Sequence, residues 1–294
     1  MIPQEMLERL RYIEIYTAKA ARDYRVGEYR SPLRGRGFEF DQHKRYQHGD
    51  DYRQIDWNVT ARMQFPYVKK EFEEKETTVF IMADLSRSME FSSVSQSKKE
   101  LLLQIAATLV FSAHCDNMRV GLLGFSDAIE IDLPPKKGRS HLWKILEALW
   151  EIEGGLGGTD FSLALEHLEN QLKRSAMLFC ISDFIALEDI FTSRPFRHLV
   201  KKHDFIPLIL EDRWEQAMPT GHGFLRLRDA ESGEEMLVRL SEKQGRRYEA
   251  LMRGRKTALQ QSLYRMGLDH LFLKPGEPYL DAVMGLFLAR KRRR

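Results

Sequence analysis

The sequence predicts an α/β protein: a mainly parallel sheet with helices on both faces, preceded by a shorter segment of different character. Three observations carry this. From Thr77 onward, apolar runs of strand length alternate with segments of helical periodicity, the pattern of successive β-α units. The run Val79-Phe80-Ile81-Met82-Ala83 is apolar at every position, as a strand buried on both faces requires. That run delivers Asp84, Ser86 and Ser88, oxygens spaced two apart, to the edge where open α/β sheets hold their ligands.

Taken in order, residues 3–25 read as an amphipathic helix, with Leu7, Leu10, Ile13 and Tyr16 on one face and Pro3 tolerated in the first turn. Gly27 and Ser31-Pro32 end it. Over 34–76 glycines, aromatics and mixed charge dominate; Phe38-Glu39-Phe40 suggests a strand and Gly49-Asp50-Asp51 a turn. Residues 1–76 therefore form an N-terminal helix and short-strand extension, and residues 77–294 the main domain. There the expected elements are a strand at 78–83, a helix at 98–114, a strand at 119–125 and an edge strand at 129–133. A helix at 140–150 follows, then the loop Gly154-Gly155-Leu156-Gly157-Gly158-Thr159-Asp160, which opens a helix to 172. A strand at 177–182, a helix at 187–201 and a strand at 205–210 come next. The chain ends with a hairpin over 224–240 turning at Ser232-Gly233, a basic helix at 243–266, a strand at 270–273 and a helix at 279–290.

Composition narrows the function classes. The 294 residues are 43% hydrophobic and 30% charged, and 46 Lys and Arg against 43 Asp and Glu leave a net charge of +3, too small to imply nucleic acid or membrane. The two cysteines, Cys115 and Cys180, make neither a C-x-x-C nor a disulfide framework; Cys180 reads as a buried small hydrophobe. No apolar stretch is long enough to span a bilayer, and residues 1–10 carry Glu5, Glu8 and Arg9 instead of a signal-peptide core. The expected compartment is the cytoplasm.

In a parallel sheet all strand-to-helix loops emerge on one side. Asp84, Ser86 and Ser88, then Thr159 and Asp160, then Asp183 therefore converge, although about 100 residues separate the first from the last. Six oxygen-bearing side chains suit a hard cation such as Mg2+ (or Mn2+). Each also has a plainer role: Asp84 to Ser88 as a turn, Thr159-Asp160 and Asp183 as helix caps.

This spacing resembles the metal-ion-dependent adhesion site of von Willebrand factor A-like domains, which have D-x-S-x-S, then a Thr, then an Asp after a strand. The resemblance implies a Rossmann-like fold and a metal site of Asp84, Ser86, Ser88, Thr159 and Asp183. In such sites the serines and threonine contact Mg2+, the aspartates often act through water, and a partner's carboxylate completes the coordination. The segment RGRGFEFDQHKRYQHGDDYRQIDWNVTAR, followed by YVKKEFEEKE, is similar to domain-of-unknown-function family 58. That resemblance implies a MoxR-type AAA+ ATPase as partner, together with an unidentified client protein. Two departures stand out. Phe184 follows Asp183 where many A-like domains have Gly, and the N-terminal membrane helices of many family members are absent.

Catalytic motifs are lacking: no G-x-x-x-x-G-K-[ST], G-x-S-x-G or H-E-x-x-H occurs. The expected function is thus a non-enzymatic, Mg2+-dependent protein-interaction module, an adaptor or co-chaperone for the ATPase. Two alternatives stand beside it. His48, Asp50, Asp51 and Asp56 could form a metal-dependent phosphoester hydrolase, but they read better as a turn paired with amides or with Arg45, Arg53 and Arg62. Arg45, Asp50, Asp51, Arg53, Asp56 and Trp57 could also mark a docking surface, while Trp57, Tyr46 and Tyr52 read as packing residues. Nucleic-acid binding through Arg246, Arg247, Arg253, Arg255 and Lys256 is the other alternative, a solvated face being the plainer one. The tail Arg290-Lys291-Arg292-Arg293-Arg294 complements its helix dipole or touches anionic lipid.

Overall fold

The computed structural model describes residues 40–47, 52, 55–63, 65–71, 78–152, 157–185, 190–217, 223–228 and 235–293. The helix expected over 3–25 and the turns at Gly49 and Ser232-Gly233 lie outside the described residues. The chain divides into two compact units, Arg34–Thr77 and one containing Thr78–Arg294.

In the smaller unit β1 (Phe40–Arg45) leads to α1 (Trp57–Met63) and then to β2 (Tyr67–Glu71), which pairs antiparallel with β1. The helix was not expected. Asp56 caps it, its Oδ1 accepting the Asn58 and Val59 N–H groups at 3.0 and 3.3 Å. Its apolar residues Trp57, Val59, Ala61 and Met63 alternate by two, which on a helix scatters them around the axis instead of lining one face. No residue of α1 is buried as a result. Trp57 and Tyr52 are 71% and 66% exposed.

The larger unit runs β3 (Thr78–Asp84), α2 (Lys98–Cys115), β4 (Arg119–Phe125), β5 (Ile129–Lys136), α3 (Arg139–Glu151), α4 (Phe161–Gln171) and β6 (Met177–Ser182). It continues with α5 (Arg194–Lys202), β7 (Asp204–Leu210), α6 (Arg213–Gln216), β8 (Gly223–Arg228), β9 (Glu235–Leu240), α7 (Glu242–Arg265), β10 (Leu271–Leu273) and α8 (Tyr279–Arg293). Six strands form one sheet in the order β10-β7-β6-β3-β4-β5, parallel throughout except for the antiparallel edge strand β5. This is the doubly wound, mainly parallel arrangement that was expected, and it places a topological switch point between β3 and β6.

Alternation along β3 divides the core. Val79, Ile81 and Ala83 face a cluster with Leu101 and Ile105 of α2, Ile145 of α3 and Phe287 of α8. Phe80 and Met82 face Phe161 and Leu165 of α4, Phe196 of α5 and Leu263 of α7. Both faces are covered, which is why β3 needs no polar residue before Asp84. Cys180 lies buried in β6, as expected.

Two boundaries and one short helix differ from expectation for identifiable reasons. The helix expected at 187–201 starts at Arg194: Ser193 caps it and Pro195 occupies its first turn, where proline fits, whereas a start at 187 would put that ring in the interior. The strand expected at 129–133 continues to Lys136 through Pro134 and Pro135, tolerated because an edge strand has one unpaired side. The short helix α6, capped by Asp212, was not expected at all.

Candidate metal centre

The C-terminal end of β3 turns on its own side chain. Asp84 Oδ1 accepts the Ser86 N–H at 3.0 Å, and Leu85 N–H extends the β3–β4 ladder by bonding Phe125 O at 2.7 Å. A 3-10 turn over Arg87–Glu90 then brings Ser88 back over Ser86. Their hydroxyl oxygens are 3.1 Å apart, and Ser88 Oγ donates to Asp183 Oδ2 at 2.7 Å. Because Ser88 has one hydroxyl proton and gives it to Asp183, Ser86 is the donor between the two serines. On the other side of the switch point Ser182 Oγ donates to Asp84 Oδ2 at 2.6 Å. Ser182, Asp84, Ser86, Ser88 and Asp183 thus form a circuit joining the ends of β3 and β6.

Phe184 adopts φ 53°, the left-handed region that costs a non-glycine residue about 1–2 kcal/mol. Its buried ring lies 5.6 Å from that of Phe161 and 6.4 Å from that of Phe191, and burying a phenylalanine contributes about 1.5–3 kcal/mol. Packing thus offsets the backbone strain, and glycine is not required there. The resulting turn lets Ile185 N–H donate to Asp183 Oδ1 at 3.1 Å and Phe184 N–H to Ser182 Oγ at 3.0 Å.

The loop that carries Thr159 and Asp160 meets the end of β4. The Asp160 N–H donates to Ser126 O at 2.8 Å, just past the end of β4, and Asp160 caps α4 by accepting the Leu163 N–H at 3.0 Å. Gly157 fits this loop because a Cβ there would fall 1.9 Å from Asp127 Oδ2.

Three groups were missed: Ser182, which donates to Asp84, and the pair Lys98 and Glu215. Lys98, with a side chain 0% exposed, places its ammonium 2.8 Å from Asp183 Oδ2 and 2.5 Å from Glu215 Oε1. Its signal was present: Lys98 is in phase with Leu101, Leu102 and Ile105, so the apolar stripe of α2 starts with a lysine. Glu215 was detectable only as the fourth member of the capping box that begins at Asp212. Burial, then the nearby Asp183, raises the pKa of Asp84 to about 6 despite hydrogen bonds from Ser182 and Ser86. Burial disfavours charge on Lys98, but Asp183 and Glu215 outweigh it and raise its pKa. Burial also raises that of Glu215, against the pull of Lys98. With these four groups ionised, Asp84, Asp183 and Glu215 against Lys98 leave the group two negative charges in excess.

The donor set at the switch point, two carboxylates and two hydroxyls, is all oxygen and fits a hard divalent ion. It is poor in carboxylate: among the described residues no three His, Cys, Asp or Glu are grouped as metal ligands.

Of the alternative sites, His48, Asp50, Asp51 and Arg53 lie outside the described residues. Asp56 is the cap of α1, and the Arg45 guanidinium sits 3.7 Å over the Phe65 ring. The basic helix is partly neutralised by its surroundings: Arg246 pairs with Glu242 at 3.2 Å, Arg253 with Glu249 at 3.7 Å and Lys256 with Glu211 at 2.6 Å. Arg290 does not project with the basic tail but pairs with Asp204 and, at 3.2 Å, with Asp269. Among the described residues no helix is long and apolar enough to cross a membrane.

The family model described as "Protein of unknown function DUF58" matches residues 42–258. An uncharacterized protein of Mycobacterium tuberculosis, Rv1480, is 28% identical over 226 residues, which is 76% of this chain and 70% of that protein. The uncharacterized protein Mb1516 of Mycobacterium bovis matches to the same extent. Among solved structures, the conserved hypothetical protein BatB of Bacteroides thetaiotaomicron aligns with a TM-score of 0.45 at 16% identity, over 74% of this chain and 100% of that one. The SpRpn10 VWA domain aligns with a TM-score of 0.42 at 12% identity, over 71% of this chain and 93% of that one.

Proposed function

This chain belongs to the DUF58 family, and from that premise we propose that it is a non-enzymatic, Mg2+-dependent protein-interaction module. The observation that carries the reading is the hydroxyl–carboxylate circuit across the switch point, with its excess negative charge held out of water. A buried carboxylate pair that lacks sufficient counter-charge favours cation uptake. Asp84, Ser86, Ser88, Thr159 and Asp183 would hold Mg2+, or Mn2+ in its place. The bound ion supplies an exchangeable position for a carboxylate. The serine hydroxyls bring no charge of their own, so the ion's positive charge is left partly unneutralised and attracts an acidic side chain of a partner. Ser182 and the Ile185 N–H orient the two aspartates, and Phe184 seals the side toward the core.

The partner class in this proposal, a MoxR-type AAA+ ATPase served as adaptor or co-chaperone together with a client protein, rests on the family likeness. The test is a pull-down of the tagged chain from its own cell lysate with Mg2+ or with EDTA, repeated with Ser86→Ala and Asp84→Ala. An AAA+ ATPase recovered only from the wild type and only in Mg2+ is the expected result. Recovery that ignores both EDTA and the two substitutions would remove the metal site from the interaction.

A further inference from the structure

The circuit described above is already in contact with a cation. Lys98 is the first residue of an 18-residue helix, where the helix dipole presents its positive end and a basic side chain is disfavoured. It is also wholly removed from water, which adds a desolvation cost. Two carboxylates, Asp183 and Glu215, offset these costs at 2.8 and 2.5 Å. The oxygen that Lys98 takes on Asp183, Oδ2, is the same one that accepts the Ser88 hydroxyl at 2.7 Å. The remaining carboxylate oxygens are engaged too: Asp183 Oδ1 by Ile185 N–H, Asp84 Oδ1 by Ser86 N–H and Asp84 Oδ2 by the Ser182 hydroxyl.

Those three oxygens each accept one donor and keep a lone pair, but Asp183 Oδ2 accepts two, so an ion drawing on Ser88 and on that oxygen has to replace a donor. The backbone N–H groups are fixed by their turns. A hydroxyl can rotate and still serve as a ligand through its lone pairs, but an ammonium has none to offer. Lys98 is the group that must leave Asp183. Glu215 makes that exchange feasible, because Lys98 released from Asp183 stays paired and no buried charge is stranded.

We propose that Lys98 is a tethered competitor for Asp183 that sets the metal affinity of this site, with Glu215 as the carboxylate that receives it when metal binds. The inference rests on the metal reading given above. It makes the site responsive to cation concentration: the ion exchanges against an internal charge, so affinity is lower than the oxygen set alone would produce.

The experiment is Mn2+ titration of the full chain by calorimetry, with Trp214 emission as a second readout because Trp214 adjoins Glu215 in α6. Lys98→Met should bind Mn2+ about tenfold more tightly or better, the equivalent of one charge-assisted hydrogen bond no longer displaced. Glu215→Gln should bind about tenfold more weakly, since Lys98 then has no alternative partner. Mn2+ should also raise the melting temperature of Lys98→Met more than that of the wild type. Should Lys98→Met fail to fold even with Mn2+, Glu215→Gln decides, and unchanged or tighter binding by it overturns the proposal. If the wild type binds Mn2+ and Lys98→Met binds no better, the competition is refuted while the metal site stands. If no variant binds Mn2+ at millimolar concentration, both are refuted.

Discussion

At the carboxyl-terminal ends of β3 and β6 the sheet carries Asp84 and Asp183, joined by Glu215 from beyond β7 and only partly balanced by one lysine. At the amino-terminal ends of β6 and β7 it carries a histidine and Arg290 with two aspartates. The depth differs. Asp183 is 4% exposed in its side chain, whereas Asp204 and Asp269, at 33% and 22%, keep contact with water. His203 accepts the Ala176 N–H on Nδ1 at 3.2 Å, so that nitrogen carries no proton; burial first, then Lys202 and His198, lowers its pKa to about 4. One end is thus stable by being neutral or hydrated. The other holds the two carboxylates Asp84 and Asp183 away from water, an arrangement that stability alone does not call for.

The largest effect that tests this contrast is the removal of each end's cation in metal-free protein. Lys98→Ala strands Asp183 and Glu215 and should cost about 3–5 kcal/mol in urea unfolding. Arg290→Ala, which leaves better hydrated carboxylates, should cost about 1 kcal/mol. Equal losses would break the comparison.

Next come two pH slopes of opposite sign. The pKa of Asp84 is raised from 3.8 to about 6, so the folded state holds the proton longer than the unfolded chain. Its contribution is complete below pH 3.8 and is lost as pH rises through 6. His203 is lowered from 6.5 to about 4, so the unfolded chain takes the proton first. Its contribution is present above pH 6.5 and is lost as pH falls through 4. Urea midpoints of metal-free Asp84→Asn and His203→Gln between these limits should each lack one slope; slopes of the same sign would refute the contrast. The smallest expected change in stability is that of Ser86→Ala, about 1 kcal/mol or less for one hydroxyl hydrogen bond. Read by Mg2+-dependent binding instead of unfolding, the same substitution should be complete in its effect, which separates a functional hydroxyl from a structural one.

The circuit was legible wherever chemistry and element coincided. An uninterrupted apolar run ending in Asp84, with Ser86 and Ser88 spaced behind it, and another ending at Asp183 identify two strand ends, and parallel strands bring such ends together. Helix α1 was hidden because its apolar residues repeat every second position, the period of a strand. Pro195 already marked the true start of α5, but the apolar residues before it drew the expected helix back to 187. Phe184 stood out as a departure from glycine; that its ring is held by Phe161 and Phe191 depends on residues distant in the chain.

The local pattern of side chains by itself determined the alternation of elements, the two-sided burial of the central strands and the oxygen-rich character of one sheet edge, because each follows from periodicity within a few residues. Only the tertiary structure decided how the charge at that edge is balanced. Lys98, Asp183 and Glu215 come from three separate segments, and a lysine's sign says nothing about its partners until packing has removed it from water. Burial turns an ordinary surface cation into a competitor for the site, since in a dry interior an ammonium must take a carboxylate as its partner.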